Sequence, residues 1–277
     1  KFFYHRTFEK DDSQNSFAAS ANLLYSTINW QIEGLAQKVG NGYNPEVGFA
    51  RRNNYERGAL SLRKNFYPNS GAIQRISPGI ETEVYTNDTN GTTDSQVSLG
   101  LELAMLNTSN IRLSVNRSYI YLFRAFDPTR NNNERLPADT DYEYTNVEAF
   151  FSGDTRKPFY LTVFANAGGY YNGNRLGLGG NLNYRVLPYG LVTMNFNYNR
   201  IRLPEPYGSA DLFLIGPRFD ITFTKKLFWT TFIQYNNQID NLNINSRIQW
   251  RFKPVSDVFI AYTDNYFPDD FRNKNRA

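Results

Sequence analysis

Residues 96–123 alternate between apolar and polar side chains in two runs joined by a turn. In the first run Val97, Leu99, Leu101, Leu103 and Met105 project to one side of an extended chain, with Gln96, Ser98, Gly100, Glu102 and Ala104 on the other. Asn107-Thr108-Ser109-Asn110 supplies turn residues. The return run sets Ile111, Leu113 and Val115 against Arg112, Ser114 and Asn116 before closing on Tyr119, Tyr121 and Phe123. A period of two sustained over this length predicts a β-hairpin with one apolar and one polar face.

The same pattern recurs along the chain. Residues 1–4 already read as strand, and residues 15–25 place Phe17, Ala19, Ala21, Leu23 and Tyr25 opposite Ala18, Ser20 and Asn22. A turn at Ser26-Thr27 then returns Ile28, Trp30 and Ile32 against Asn29, Gln31 and Glu33. Further on, Leu60, Leu62 and Phe66 oppose Ser61, Arg63 and Asn65; a Pro68-Asn69-Ser70-Gly71 turn leads to Ile80, Thr82 and Val84 against Glu81 and Glu83. After a polar excursion at residues 124–141, strands are predicted at 142–151, 159–171, 175–185, 191–200, 211–224, 227–236, 242–251 and 255–263. That makes about fifteen strands, many of about nine to twelve residues, where soluble strands usually have about five or six.

Connections alternate in length. Short joints fall at 26–27, 107–110, 187–189, 225–226 and 254–257, and longer or more polar ones at 40–57, 87–94, 124–141 and 201–210. Long strands with short turns at one end and longer loops at the other predict an all-β fold, an antiparallel up-and-down transmembrane β-barrel. On this parity the first strand rises outward, and residues 264–277 form an external segment. Tyr25, Trp30, Tyr67, Tyr121, Tyr184, Trp229 and Trp250 near strand ends suit interfacial girdles. Soluble sandwiches, propellers and lipocalin-like barrels alternate too, but strands this long and numerous are rare in them.

Composition sharpens this picture. Twenty Tyr and 22 Phe sit in a chain whose mean hydropathy is only −0.57, a combination natural to a barrel, where every second strand residue meets lipid. No run approaches the roughly eighteen apolar residues that a membrane helix needs. The absence of cysteine excludes disulfides and thiolate metal sites. A net charge of +4, with the arginines dispersed, argues against a nucleic-acid partner.

The candidate chemistry is sparse. His5, the only histidine, is flanked by Phe3, Tyr4 and Arg6 rather than by a nucleophile and an orienting group, so it reads as a wall residue and the chain as no enzyme. The segment Asp88-Thr89-Asn90-Gly91-Thr92-Thr93-Asp94 spaces oxygens as a calcium loop does. Thr93 and Leu99, however, stand where such a loop needs Gly and Glu, leaving a plain hairpin loop and no expected metal or cofactor. What remains are charges on the polar side of the alternation: Glu33, Arg63, Glu81, Glu83, Glu102, Arg112, Arg175, Arg185, Arg218, Asp220, Arg247 and Arg251. Inside a barrel they would either set selectivity or stiffen the wall as ion pairs. Lys64 and Arg117 break the pattern by falling on the apolar side, which predicts a rim, a bulge or a partner protein beside each.

Two stretches carry a family likeness. Tyr43-Asn44-Pro45-Glu46-Val47-Gly48-Phe49-Ala50-Arg51-Arg52 resembles the F-N-P-E-V-G-F-x-x-R segment of Bacteroidetes-type outer-membrane proteins of unknown function. Phe232-Ile233-Gln234-Tyr235-Asn236-Asn237-Gln238, with Asn245-Ser246-Arg247-Ile248-Gln249-Trp250-Arg251-Phe252-Lys253-Pro254-Val255-Ser256-Asp257-Val258-Phe259, is similar to the same family's penultimate hairpin. Those proteins join an amino-terminal domain like a family 9 carbohydrate-binding module to a carboxy-terminal β-barrel. The resemblance implies that residues 1–277 are the barrel part only, a fragment lacking the sugar-binding-like domain, some earlier strands and the last strand of a barrel of about sixteen strands or more. It further implies a bacterial outer-membrane location with the lipid bilayer, lipopolysaccharide and other outer-membrane proteins as partners, and a glycan as ligand. Two functions follow as expectations. One is a channel, transporter or surface-binding protein. The other is a plugged structural subunit of an assembly for secretion, import or barrel insertion. No catalytic residues come with the likeness.

Overall fold

Sixteen strands follow one another in chain order, and each hydrogen-bonds antiparallel to the next, giving a single up-and-down sheet. The computed structural model describes residues 1–7, 16–45, 52–130 and 134–274, with side chains described through residue 269. The strands are β1 (Phe2–Arg6), β2 (Phe17–Ser26), β3 (Trp30–Val39), β4 (Tyr55–Lys64), β5 (Ile73–Asn87), β6 (Gly91–Met105), β7 (Asn110–Leu122) and β8 (Thr140–Ser152). They continue as β9 (Phe159–Tyr170), β10 (Gly173–Val186), β11 (Gly190–Arg202), β12 (Ser209–Thr224), β13 (Leu227–Asn236), β14 (Asn241–Lys253), β15 (Ser256–Phe267) and β16 (Asp270–Lys274). No helix occurs among the described residues. Among the described residues β1 pairs only with β2 and β16 only with β15, so the sheet has two free edges and is not closed on itself.

Three expectations are corrected. Residues 264–277 are not one external segment: β15 runs to Phe267, and a two-residue turn starts a sixteenth strand. The first turn sits later than Ser26-Thr27, because Asn65 and Tyr67 both donate to the Ile28 carbonyl (3.1 and 3.0 Å) and Thr27 N–H donates to Trp30 O (2.8 Å). Ile28 is thereby drawn out of β3. The long joint at 87–94 shrinks to residues 88–90. There the Asn87 carboxamide oxygen accepts from the amides of Thr89 and Asn90, and Gly91 takes a left-handed φ of 68°. The strand expected to carry Ile80, Thr82 and Val84 is β5, which begins at Ile73, just after the Pro68–Gly71 turn. Pro78 cannot donate to the ladder, so pairing with β4 lapses at Lys64 and resumes in the same register as an isolated bridge, Phe66 to Ile76.

Parts of other expectations lie outside the described residues: Asn15 at the start of the second strand, 46–51 in the 40–57 joint and the first family-like stretch, 131–133 in the polar excursion, and 275–277 at the end. The alternation of connections survives as a difference between two ends. One, here the turn end, carries 27–29, 106–109, 187–189, 225–226 and 254–255, together with the longer joints 65–72 and 153–158. The loop end carries 7–16, 40–54, 123–139 and 203–208, interspersed with tight turns at 88–90 and 171–172.

Cross-strand register assigns every side chain a face. One row on the apolar side runs Leu62, Ile80, Leu99, Val115, Val147, Ala167, Leu176 across seven strands. These residues meet no second layer: Leu99 is 59% exposed and Val147 50%. The buried apolar residues lie elsewhere, all at the loop end: Ala18 beside Val39, Leu122 near Leu136, and Ile201, Leu203 and Ala210 together. They sit on the opposite, polar face or in the loops above it. The hydrophobic core therefore caps one end of the sheet instead of backing it.

Candidate functional site

All twelve charged candidates share the polar face. Direct cross-strand pairs connect Glu33 to Ser61, Ser61 to Glu81, Arg63 to Gly79, Glu83 to Gln96 and Glu102 to Arg112; the other half of the sheet holds Arg175, Arg185, Arg218, Asp220, Arg247 and Arg251 in the same phase. The structure brings only some of them together. Arg63 bonds Glu81 at 3.1 Å and lies 3.9 Å from Glu102, while Arg218 grips Asp220 at 2.8 and 3.0 Å. Glu83 pairs with Arg57, and Arg251 with Asp257 at 3.1 Å.

Arg112, Arg175, Arg185 and Arg247 have no carboxylate partner among the described residues; each guanidinium rests on an aromatic ring instead. The distances to the ring centres are 4.3 Å to Phe150, 5.3 Å to Tyr170, 5.5 Å to Tyr160 and 5.6 Å to Phe259. Arg175 also donates twice to Asn199 Oδ1. Glu33 has no hydrogen-bonding partner among the described residues.

Several functional neighbours were not legible in the sequence: Arg57, Arg75, Glu148, Phe150, Phe164 and Asn166. In β8 both phases mix aromatic and polar residues (Tyr142, Tyr144, Glu148, Phe150 against Glu143, Thr145, Val147, Phe151), so alternation alone leaves the faces undecided. Register decides them, through Glu148 opposite Ser114 and Phe150 opposite Arg112.

The polar face is concave. One cavity of about 460 Å³ spans β4 to β9, with Arg63, Glu81, Glu102, Arg112, Glu148, Phe150 and Phe164 around a floor of Gly79, Gly100, Ser77, Ser98 and Ser114. A second, of about 480 Å³, continues it toward β2 past Glu33, Arg57 and Glu83, sharing Glu81, Gln96 and Ser98. Small floor residues leave the trough open between charged walls. At its loop end Phe126, Tyr142, Tyr144 and Tyr170 gather round Tyr171, with ring centres 4.8–6.3 Å apart, and join the 123–139 loop to the sheet.

The exceptions on the apolar face have local solutions. Lys64 ends β4 with its ammonium over the rings of Trp30 and Phe66, at 5.1 and 5.0 Å. Arg117, five residues short of its strand end, bonds Glu143 on β8 at 2.7 Å. Lys38–Glu56 and Arg202–Asp211 pair similarly, so the paired charges of this face occupy the loop-end half of the strands. His5 accepts or donates through Nδ1 to the Tyr43 hydroxyl at 3.1 Å, a wall contact with no nucleophile in it. Asp94 of the calcium-like segment is held by Arg52 at 2.5 Å and by Thr93. Among the described residues no group of three His, Asp or Glu is placed to hold a metal.

No protein-family model matches this chain, and no curated protein matches it. What the polar face can do thus follows from its own chemistry: it hydrogen-bonds, carries paired and ring-stacked charge, and forms a trough lined by polar groups.

Proposed function

We propose that this chain is the membrane-spanning part of a bacterial outer-membrane β-barrel whose polar face lines a hydrated lumen, and that it works as a channel, transporter or surface-binding protein. The observation that carries the reading is the bare apolar face, continuous across the strands while the opposite face is polar and charged. A long, exposed apolar sheet surface is unfavourable in water and is what lipid requires. From Glu56 to Lys64, the two charged limits of that face on β4, the strand rises about 26 Å at roughly 3.3 Å per residue; tilted by about 40°, it covers about 20 Å, near the roughly 25 Å apolar band of such barrels. Tyr25, Trp30, Tyr184, Trp229 and Trp250 edge this face at the turn end, and Tyr119, Tyr121, Tyr198 and Tyr235 at the loop end, as two interfacial girdles do.

Both free edges need partners in a bilayer, because unpaired backbone groups are not tolerated there. The family likeness supplies further strands of the same protein as the natural ones. A second reading, a plugged structural subunit of an outer-membrane assembly, is favoured by the apolar cap of Leu122, Leu136, Ile201 and Leu203 at the loop end. Planar-bilayer recording on the full-length protein, with the strands that cover both edges, refolded in detergent separates the two. Steady single-channel current is expected for the first reading; insertion without current would transfer the case to the second, and failure to insert would sink both.

A further inference from the structure

One row of the polar face has an unusual composition. Ser77, Glu102, Arg112, Phe150, Phe164 and Gly179 lie directly opposite one another on β5 to β10, about 4.8 Å apart from strand to strand. Two adjacent phenyl rings on the wet side of a sheet expose apolar surface with no apparent return in packing. Their settings differ. The Phe150 ring is covered by the Arg112 guanidinium. Phe164 reaches over β10 with the Cζ end of its ring against Gly179, where any Cβ would collide with it. The ring lines the 460 Å³ cavity, and the residue is 40% exposed.

The next row toward the loop end supplies the complementary chemistry. Glu148 and Asn166 face each other across β8 and β9, and neither side chain has a hydrogen-bond or ion-pair partner among the described residues. Asn166 in turn lies over Gly177, whose missing side chain leaves it room: a Cβ there would come within 2.6 Å of Asn166 Oδ1. Arg112, although opposite Glu102, is not paired with it, since Glu102 is held by Arg75 at 2.6 Å and by Asn110 at 3.2 Å. The cavity wall sets Glu81, Glu102 and Glu148 against Arg63 and Arg112, and Arg75 neutralises Glu102 from outside the lining, so the cavity carries no excess positive charge.

A partly exposed phenyl ring for C–H groups, beside a free carboxylate, a free carboxamide and a guanidinium, in a cavity of ligand size without excess positive charge, matches a neutral polyol with one apolar face. Inorganic ions need no ring platform, nucleotides would need excess positive charge, and acyl chains would leave the polar floor unpaired. We infer that this cavity is a saccharide subsite in which a neutral pyranose stacks on Phe164. Its hydroxyls donate to Glu148, exchange hydrogen bonds with Asn166 and accept from Arg112. This rests on the reading that the polar face is a hydrated lumen, and it names the ligand class of that face.

The test uses the full chain in amine-oxide micelles, since glycoside detergents would themselves compete. Saturation-transfer NMR and titration would be run with maltotriose, cellotriose and triacetylchitotriose, and with glucose 6-phosphate as the anionic comparison. At least one neutral trisaccharide should bind. Phe164→Ala should weaken it by about tenfold or more, the loss typical of an aromatic anchor; Phe164→Trp should retain it, and Glu148→Gln should weaken it while keeping the heat-modifiable fold on gels. Absence of binding by all three sugars, indifference to Phe164→Ala, or tighter binding of glucose 6-phosphate would each overturn the subsite. Conductance of the same preparation reports separately: a conducting pore that binds no sugar rejects only the subsite, whereas a protein that never inserts rejects the membrane reading.

Discussion

Glu102 shows how much a single side chain's meaning depends on its neighbours. Alternation puts it on the same face as Arg112, and register sets the two directly opposite each other, yet its oxygens go to Arg75 and Asn110. Its side chain is 17% exposed, so removing its charge leaves Arg75 half-buried without a counter-ion. Glu102→Gln should cost about 1–2 kcal/mol in urea unfolding, less than a fully buried pair would because solvent still screens it. Glu81→Gln, at a site 57% exposed, should cost under about 0.5 kcal/mol. Equal losses at the two positions would refute this ordering. Asp154, in the 153–158 turn, answers to pH instead. Its carboxylate accepts from Arg156 Nε, Nη2 and backbone N–H at 2.8, 2.9 and 3.0 Å and from Thr108 at 3.4 Å, which holds its pKa well below the usual carboxylate range. A lowered folded-state pKa gives stability that is complete above the unfolded value of about 3.9 and drains away as pH falls from there through the folded value. Exchange of the Gly153 amide, bonded to Leu161 O, should therefore show no loss of protection from pH 7 to about 5 and a loss only below about 4, with the dependence gone in Asp154→Asn.

At the scale of elements, the hairpin of β6 and β7 is the most sequence-determined part of the molecule. Its two predicted faces appear unchanged, because strands of fifteen and thirteen residues with a period of two admit only one register that keeps leucines together. If the apolar face meets lipid, Leu99→Arg should destabilise the protein in liposomes by about 2–4 kcal/mol, while Gln96→Arg on the other face should change stability by less than about 0.5 kcal/mol. Matching effects in urea titrations would argue for a soluble sheet. Elements misread from sequence share one physical cause: contacts distant in the chain overrode local signals. Residues 264–267 read as part of an external segment, but pairing of Asp264, Asn265 and Tyr266 with β14 carries β15 through them. Ser26-Thr27 read as the turn, but Asn65 and Tyr67, almost forty residues away, fix the Ile28 carbonyl and move it.

For the whole molecule, the charge on the polar face is nearly balanced but laterally uneven. Acids concentrate on β3 to β8 (Glu33, Glu81, Glu83, Glu102, Glu148), and arginines dominate β10 to β14 (Arg175, Arg185, Arg218, Arg247, Arg251) against Asp220 alone. In the bilayer recording proposed above, the double change Arg185→Glu and Arg247→Glu should therefore shift the reversal potential in a salt gradient toward cation preference; an unmoved potential would mean that these side chains do not line the conducting path. The sequence by itself determined the strand content, the two-faced character and the face of all twelve candidate charges, because period-two alternation is a local property of extended chain. Tertiary structure alone decided which charges pair, that four arginines take aromatic rings in place of carboxylates, and that Phe164 and Phe150 join Glu148 in one cavity. It alone also decided that the buried core caps the loop end and that both sheet edges stay open. Those outcomes depend on which residue lies across from which on another strand, and alternation within one strand carries no information about its neighbour's register.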